Sequence, residues 1–218
     1  MIHKTCTVIE QTTWSRVTEL ASELSPVLVI LGSFIAFVSL CIRFYQIHKD
    51  HKRSRVASAI QSVDDFCKSA NESTTTTRAF IEKLDEEHCE KILKNTPFEV
   101  DASHKGALDY ALRDVEPDIS KLEVADNKLY LKEKHIGHLR FLTLQHLNSI
   151  EIALLHWKEE TGERRIFEEQ LGYLVCSNGN RFILSTFRSV YRKLGSSDKN
   201  PFPCIDAFVE RMKCLEPD

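Results

Sequence analysis

PVLVILGSFIAFVSLCI, residues 26–42, is a run of seventeen residues without a charge, extended by Leu24 on one side and by Phe44 and Tyr45 on the other. No other stretch of the chain is as apolar. An α-helix rises about 1.5 Å per residue and the hydrocarbon core of a bilayer is roughly 30 Å thick, so residues 24–45 are long enough to span it, with Arg43 snorkelling to the headgroups. The expectation is one membrane anchor carrying one soluble domain. Within the span Gly32 and Ala36 make a small-xxx-small pair flanked by Ser33 and Ser39, a surface on which a second copy of the helix could pack; glycine is also common in membrane helices that do not associate.

A cleavable signal peptide fits this N-terminus poorly. The apolar run starts late, is long for an h-region, lacks a small-x-small cleavage site and follows Glu10, Glu19 and Glu23 in place of a basic segment. On the other flank Arg43, Lys49, Lys52, Arg53 and Arg55 outnumber Lys4 and Arg16, which orients the chain with its N-terminus outside and its C-terminal domain cytoplasmic, in the inner (plasma) membrane. The same cluster would attract anionic lipid headgroups at about 1 kcal/mol per basic residue. Residues 56–218 hold 22 basic against 28 acidic side chains, and so mildly acidic a domain argues against broad nucleic-acid binding. The seven cysteines, at 6, 41, 67, 89, 176, 204 and 214, form no CxxC and no regular spacing, which suits reduced cytosolic thiols better than a disulfide framework.

Taken in order, the chain divides into a short outer segment (1–23), a transmembrane helix (24–45), a basic juxtamembrane helix (46–70) and a helical domain (71–218). Val56, Ile60, Val63, Phe66 and Cys67 recur at helical spacing and predict one face of the juxtamembrane helix. NESTTTT predicts a turn and N-cap for a single helix over TRAFIEKLDEEHCEKILKN, ended by Pro97. Between 98 and 136 a short helix around Ala107–Val115, stopped by Pro117, and a hairpin near 121–133 turning at Asp126-Asn127 are weighed against a helix pair. Leu139, Phe141, Leu142, Leu147, Ile150, Leu154 and Trp157 predict the central helix. Helices follow over 166–176, over RFILSTFRSVYRKLG with Gly195 as its C′ residue, and over CIDAFVERMKCL after a turn at Pro201 and Pro203. The fold class is mainly α: one membrane helix and a cytoplasmic bundle, with that small hairpin.

TRAFIEKL, HLNSIEIALLHW, FEEQLGYLV, FRSVYRKLG and DAFVERM occur in that order. Over residues 50–213 the chain resembles a bacterial family of unknown function whose members carry an N-terminal membrane helix and a helical cytoplasmic domain with a Leu-Asn-x-x-Glu motif. Leu147, Asn148 and Glu151 match that motif. The resemblance implies the fold and topology and leaves the activity open.

Asn148 and Glu151 lie three apart, on one face of an apolar helix, so a carboxylate there is expected to be buried and paired, with Arg188 or Arg192 as partner, or else to mark a polar site. Arg181, Arg188 and Arg192 recur on one helix face as a basic stripe, solvated or meeting an anionic surface. His135, His138, His146 and His156 lack the ligand spacing of a metal site, and no Walker A loop, GxGxxG, HExxH or GxSxG is present, so no metal, cofactor or catalytic residue is assigned. The expected function is a membrane-tethered interaction or regulatory module with a cytoplasmic protein partner. The alternatives are a membrane-acting effector, in stress or phage response, whose bundle controls transmembrane-helix association, and, third, an enzyme with an unrecognised site.

Overall fold

A computed structural model describes residues 3–124, 126–175, 183–195 and 199–215, with side chains from residue 29 onward except that of Val175. Helix α1, His3–Ser69, crosses the boundary between two compact units, Met1–Arg53 and Ser54–Asp218. In the first unit every described side chain is exposed, from Val29 and Ile30 through Phe34 and Phe37 to Tyr45.

In the second unit the 54–69 part of α1 buries Ala59, Ser62 and Phe66, while Ile60 is 56% exposed and Cys67 lies on the surface. The predicted face is therefore rotated. Small side chains at 59 and 62 admit the neighbouring backbone: the Ser62 hydroxyl reaches the Ala153 carbonyl at 3.5 Å, and the Arg55 carbonyl accepts the Glu163 N–H at 3.1 Å. Hydrophobicity scoring favours the larger Ile60, but close approach favours the residues that leave room.

Asn71 caps α2 (Glu72–Ile81), its side-chain oxygen accepting the Thr74 N–H at 2.8 Å. The threonine run thus lies inside the helix, with Thr74 and Thr77 buried, and not in a turn before it. The single helix expected over 77–95 is two. Asp85 ends the connection and caps α3 (Glu86–Leu93) by accepting the His88 N–H at 2.9 Å, because a short carboxylate competes with the helical backbone for its own neighbours. Helix α4, Lys105–Ala111, stops short of the expected Val115.

The hairpin near 121–133 is present as β2 (Glu123–Val124) and β3 (Lys128–Leu131), with Asp126 and Asn127 at φ 63° and 56°, a left-handed conformation that short amide and carboxylate side chains tolerate. A strand that the sequence reading did not anticipate, β1 (Phe98–Asp101), joins it. The antiparallel sheet has order β1-β3-β2, Phe98 pairing with Leu131 and Val100 with Leu129, so all four side chains enter the core from one face.

The central helix is α5, Glu133–Lys158, which packs on α2, α3, α6 and α8 and buries Leu139, Leu147, Ile150, Leu154 and Trp157. Phe141, expected in that set, is 61% exposed. Helices α6 (Arg164–Val175), α7 (Ser185–Leu194) and α8 (Pro203–Lys213) complete the mainly helical unit. Gly195 closes α7 with φ −67°, so it does not serve as the expected left-handed C′ residue. Pro203 lies in the first turn of α8, where its missing N–H costs no hydrogen bond. Phe80, Phe167, Phe187 and Phe208, one from each of four helices, are fully buried.

Candidate functional site

The segment beginning at Val29 is long and apolar enough to cross a membrane, with a window of mean hydropathy 1.7 and none of that window buried within the chain. Folding leaves Ile30, Phe34, Ile35, Phe37 and Leu40 each more than half exposed, whereas soluble monomers rarely expose so continuous an apolar surface. Gly32 and Ala36 are exposed, and a Cβ added to Gly32 would meet nothing within 4 Å. Arg43, Lys49, Lys52 and Arg53 are exposed and Arg55 half-buried; of the first four, Arg53 has an acidic neighbour, Asp50, at a loose 3.9 Å.

Leu147, Asn148 and Glu151 do three different things. Leu147 is fully buried core, Asn148 is exposed, and Glu151 is half-buried. Helical spacing put Asn148 and Glu151 on one face, but the face turns toward solvent at Asn148. The expected pairing of Glu151 with Arg188 or Arg192 is replaced by another partner: its two carboxylate oxygens accept the N–H groups of Cys204 at 2.8 Å and Ile205 at 3.0 Å, in the first turn of α8. Phe202, the residue before that helix, has no side chain able to cap it, so α8 is capped by a carboxylate from α5. The buried Cys204 thiol is pushed up to about 12, by burial first and by Glu151 second, and burial likewise raises Cys89 to about 12; neither supplies a thiolate nucleophile near neutrality.

Arg188 is buried and donates to the Ile183 carbonyl at 3.0 Å and to Asp206; Arg192 donates to Asp206 and to Asn200. Burial works to raise the Asp206 carboxyl, but the two guanidiniums and the Asn200 amide outweigh it and hold the group below the usual range. Arg181 lies outside the described residues. Two members of the expected stripe are thus occupied in joining α7 to α8. Asp206 gave no signal in the sequence beyond being an acid in the first turn of a helix.

His135 accepts the Lys132 N–H at 3.2 Å, and His156 meets the Thr161 hydroxyl at 3.0 Å. His146 is buried beside Phe66, both ring nitrogens without a partner among the described residues, and burial, with Arg78 second, holds its pKa to about 4. Among the described residues no three His, Cys, Asp or Glu side chains come together as a metal site.

One exposed strip of α5 carries Phe141, Asn148, Ile152 and Leu155, with Ile152 65% and Leu155 47% exposed. Steps of seven, four and three residues keep these side chains on one face. A groove of about 310 Å³ runs beside it, between α5 and the 54–69 part of α1, lined by Ser58, Gln61, Asp65, Ser149, Ile152 and His156.

Comparison of the chain with known protein families, curated proteins and solved structures finds no match in any of the three.

Proposed function

We propose that this is a single-span membrane protein, its N-terminus outside and its helical unit displayed in the cytoplasm as a non-enzymatic interaction module. The observation that carries the reading is the exposed apolar segment followed by an exposed basic cluster: an apolar surface of this length gains by leaving water for lipid, and the cluster favours the cytoplasmic side. The α5 strip supports the second half, since Phe141, Ile152 and Leu155 offer a partner apolar contact beside the amide of Asn148. The resemblance to a membrane-anchored bacterial family over residues 50–213 points the same way and rests on the motifs quoted above.

Alkaline carbonate extraction, combined with reporter fusions at the C-terminus, tests the topology. The expected result is a chain retained in the membrane pellet, with a cytoplasmic reporter active and a periplasmic one silent. Release into the supernatant, or the reverse reporter pattern, overturns it. A second reading, an effector acting through association of the membrane helix, is favoured by the open space at Gly32 and the exposed Ala36. It requires that the full chain depolarise the membrane on overexpression and that Gly32→Leu weaken this, whereas the interaction module leaves the potential unchanged.

A further inference from the structure

The exposed strip on α5 is part of a longer seam. From Phe141 it passes through Gln145 to Asn148, Ile152 and Leu155, and the same alternation of four- and three-residue steps carries it back through His138 to Lys134 and forward to Glu159. That alternation is the 3.5-residue repeat by which one helix lays a continuous line of side chains against another. Along the line His138 and Gln145 are half-buried and the other members are exposed, so the helical unit leaves the whole of it open. At about 1.5 Å per residue the seam is roughly 38 Å long. On its α1 side the groove already described gives clearance, and the Ser62 and Ser149 hydroxyls there donate to backbone carbonyls at 3.5 and 2.9 Å.

Read against its own reverse, the seam is complementary in every layer. Lys134 meets Glu159, His138 meets Leu155, Phe141 meets Ile152 and Gln145 meets Asn148. The two amides each carry donors and an acceptor and so satisfy one another, and the bulkiest apolar side chain faces a β-branched one. The end layers join opposite charges that have capacity to spare. Glu159 has no cationic partner among the described residues, and Lys134 spends two of its three donors, on the Val115 carbonyl at 3.3 Å and on Glu116 at 2.7 Å. A parallel, in-register pairing would instead set Lys134 on Lys134 and Glu159 on Glu159, like charges at both ends. Only the reversed arrangement matches charge with charge, amide with amide and apolar with apolar along one line.

We infer that a second copy of this chain covers the seam, the two α5 helices lying antiparallel about a two-fold axis that passes between Gln145 and Asn148, so that each layer occurs twice. This pairing takes the α5 strip to be the contact surface proposed above and names what covers it; it is independent of the membrane topology.

The test uses the full chain in detergent micelles, with Cys6, Cys41, Cys67, Cys176 and Cys214 replaced by serine so that only the buried Cys89 and Cys204 remain. Phe141→Cys and Ile152→Cys variants carrying different tags are mixed and oxidised. A disulfide between the two variants is expected, with about ten-fold less product from either variant alone, because a disulfide needs close Cα atoms and 141 opposes 152 only in the reversed register. Charge reversal gives a second readout. Lys134→Glu and Glu159→Lys each set like charges together in both end layers, so each alone should dimerise about five-fold more weakly in sedimentation, and mixing the two should restore the parental affinity. Restoration on mixing also shows that both variants are folded. Self-linking of the cysteine variants as efficient as linking between them, or no gain on mixing the charge variants, overturns the antiparallel pairing. Linking of Ile152→Cys in intact cells to a different protein and not to a second copy overturns the pairing and leaves the contact-surface reading standing, whereas no link to any protein removes both.

Discussion

Glu151→Ala removes the carboxylate from α5 that caps α8, leaving the Cys204 and Ile205 N–H groups, on residues that are 3% and 0% exposed, without their acceptor. Losing a side-chain N-cap costs about 1 kcal/mol, and losing a negative charge at a helix N-terminus costs roughly 0.3 to 1 more. Both N–H groups lose a charge-assisted bond and water reaches them poorly, so the total should be about 2 kcal/mol, below the roughly 3 to 5 that breaking a buried ion pair would cost. For a unit of this size that corresponds to a fall of about 4 to 8 °C in melting temperature. Trp157 is the natural probe: it sits edge-on to Phe208 of α8 at 5.1 Å and reports α5–α8 packing. In a Trp14→Phe background, which removes the only other tryptophan, its fluorescence during urea or thermal unfolding gives the midpoint directly. Glu159→Ala and Asn148→Ala, both exposed, should each fall within about 0.5 kcal/mol of the parent. A Glu151→Ala midpoint indistinguishable from that of Glu159→Ala would refute the capping role.

Two further outcomes follow from the buried polar groups. Asp206→Ala leaves the buried Arg188 guanidinium without its carboxylate and should cost about 2 to 3 kcal/mol, against little for Glu210→Ala on the exposed side of the same helix; equal costs in urea unfolding would argue against the α7–α8 clasp. His146 binds its proton far more weakly folded, at about 4, than at its ordinary 6.5, so its contribution to stability is complete above pH 6.5 and is lost as pH falls toward 4, a decline of about 3 kcal/mol to which His135, also lowered by burial, adds in the same sense. His146→Leu should flatten that slope in urea midpoints measured from pH 7 to 4, and an unchanged slope would exclude His146 as its source.

The apolar run at 26–42, the helical character of most of the chain and the turn at Asp126-Asn127 were legible in the residues, because each depends on neighbours close in sequence. A span needs only length and apolarity, a helix needs apolar positions at three- and four-residue spacing, and a turn needs residues that tolerate positive φ. The strand β1 escaped because its four residues are stabilised by pairing with β3 about thirty positions away, a relation that periodicity does not encode. Spacing placed Glu151 on the face of an apolar helix and Arg188 in a basic stripe read as solvated or meeting an anionic surface, but which groups meet there depends on how α7 and α8 dock: Asp206 rises between the two arginines, and the first turn of α8 comes to the Glu151 carboxylate. The capping of α3 by Asp85 was local and readable in principle. Periodicity reports the direction in which a side chain leaves its own helix; its partner is decided by long-range packing, which the sequence specifies only through the whole of the core.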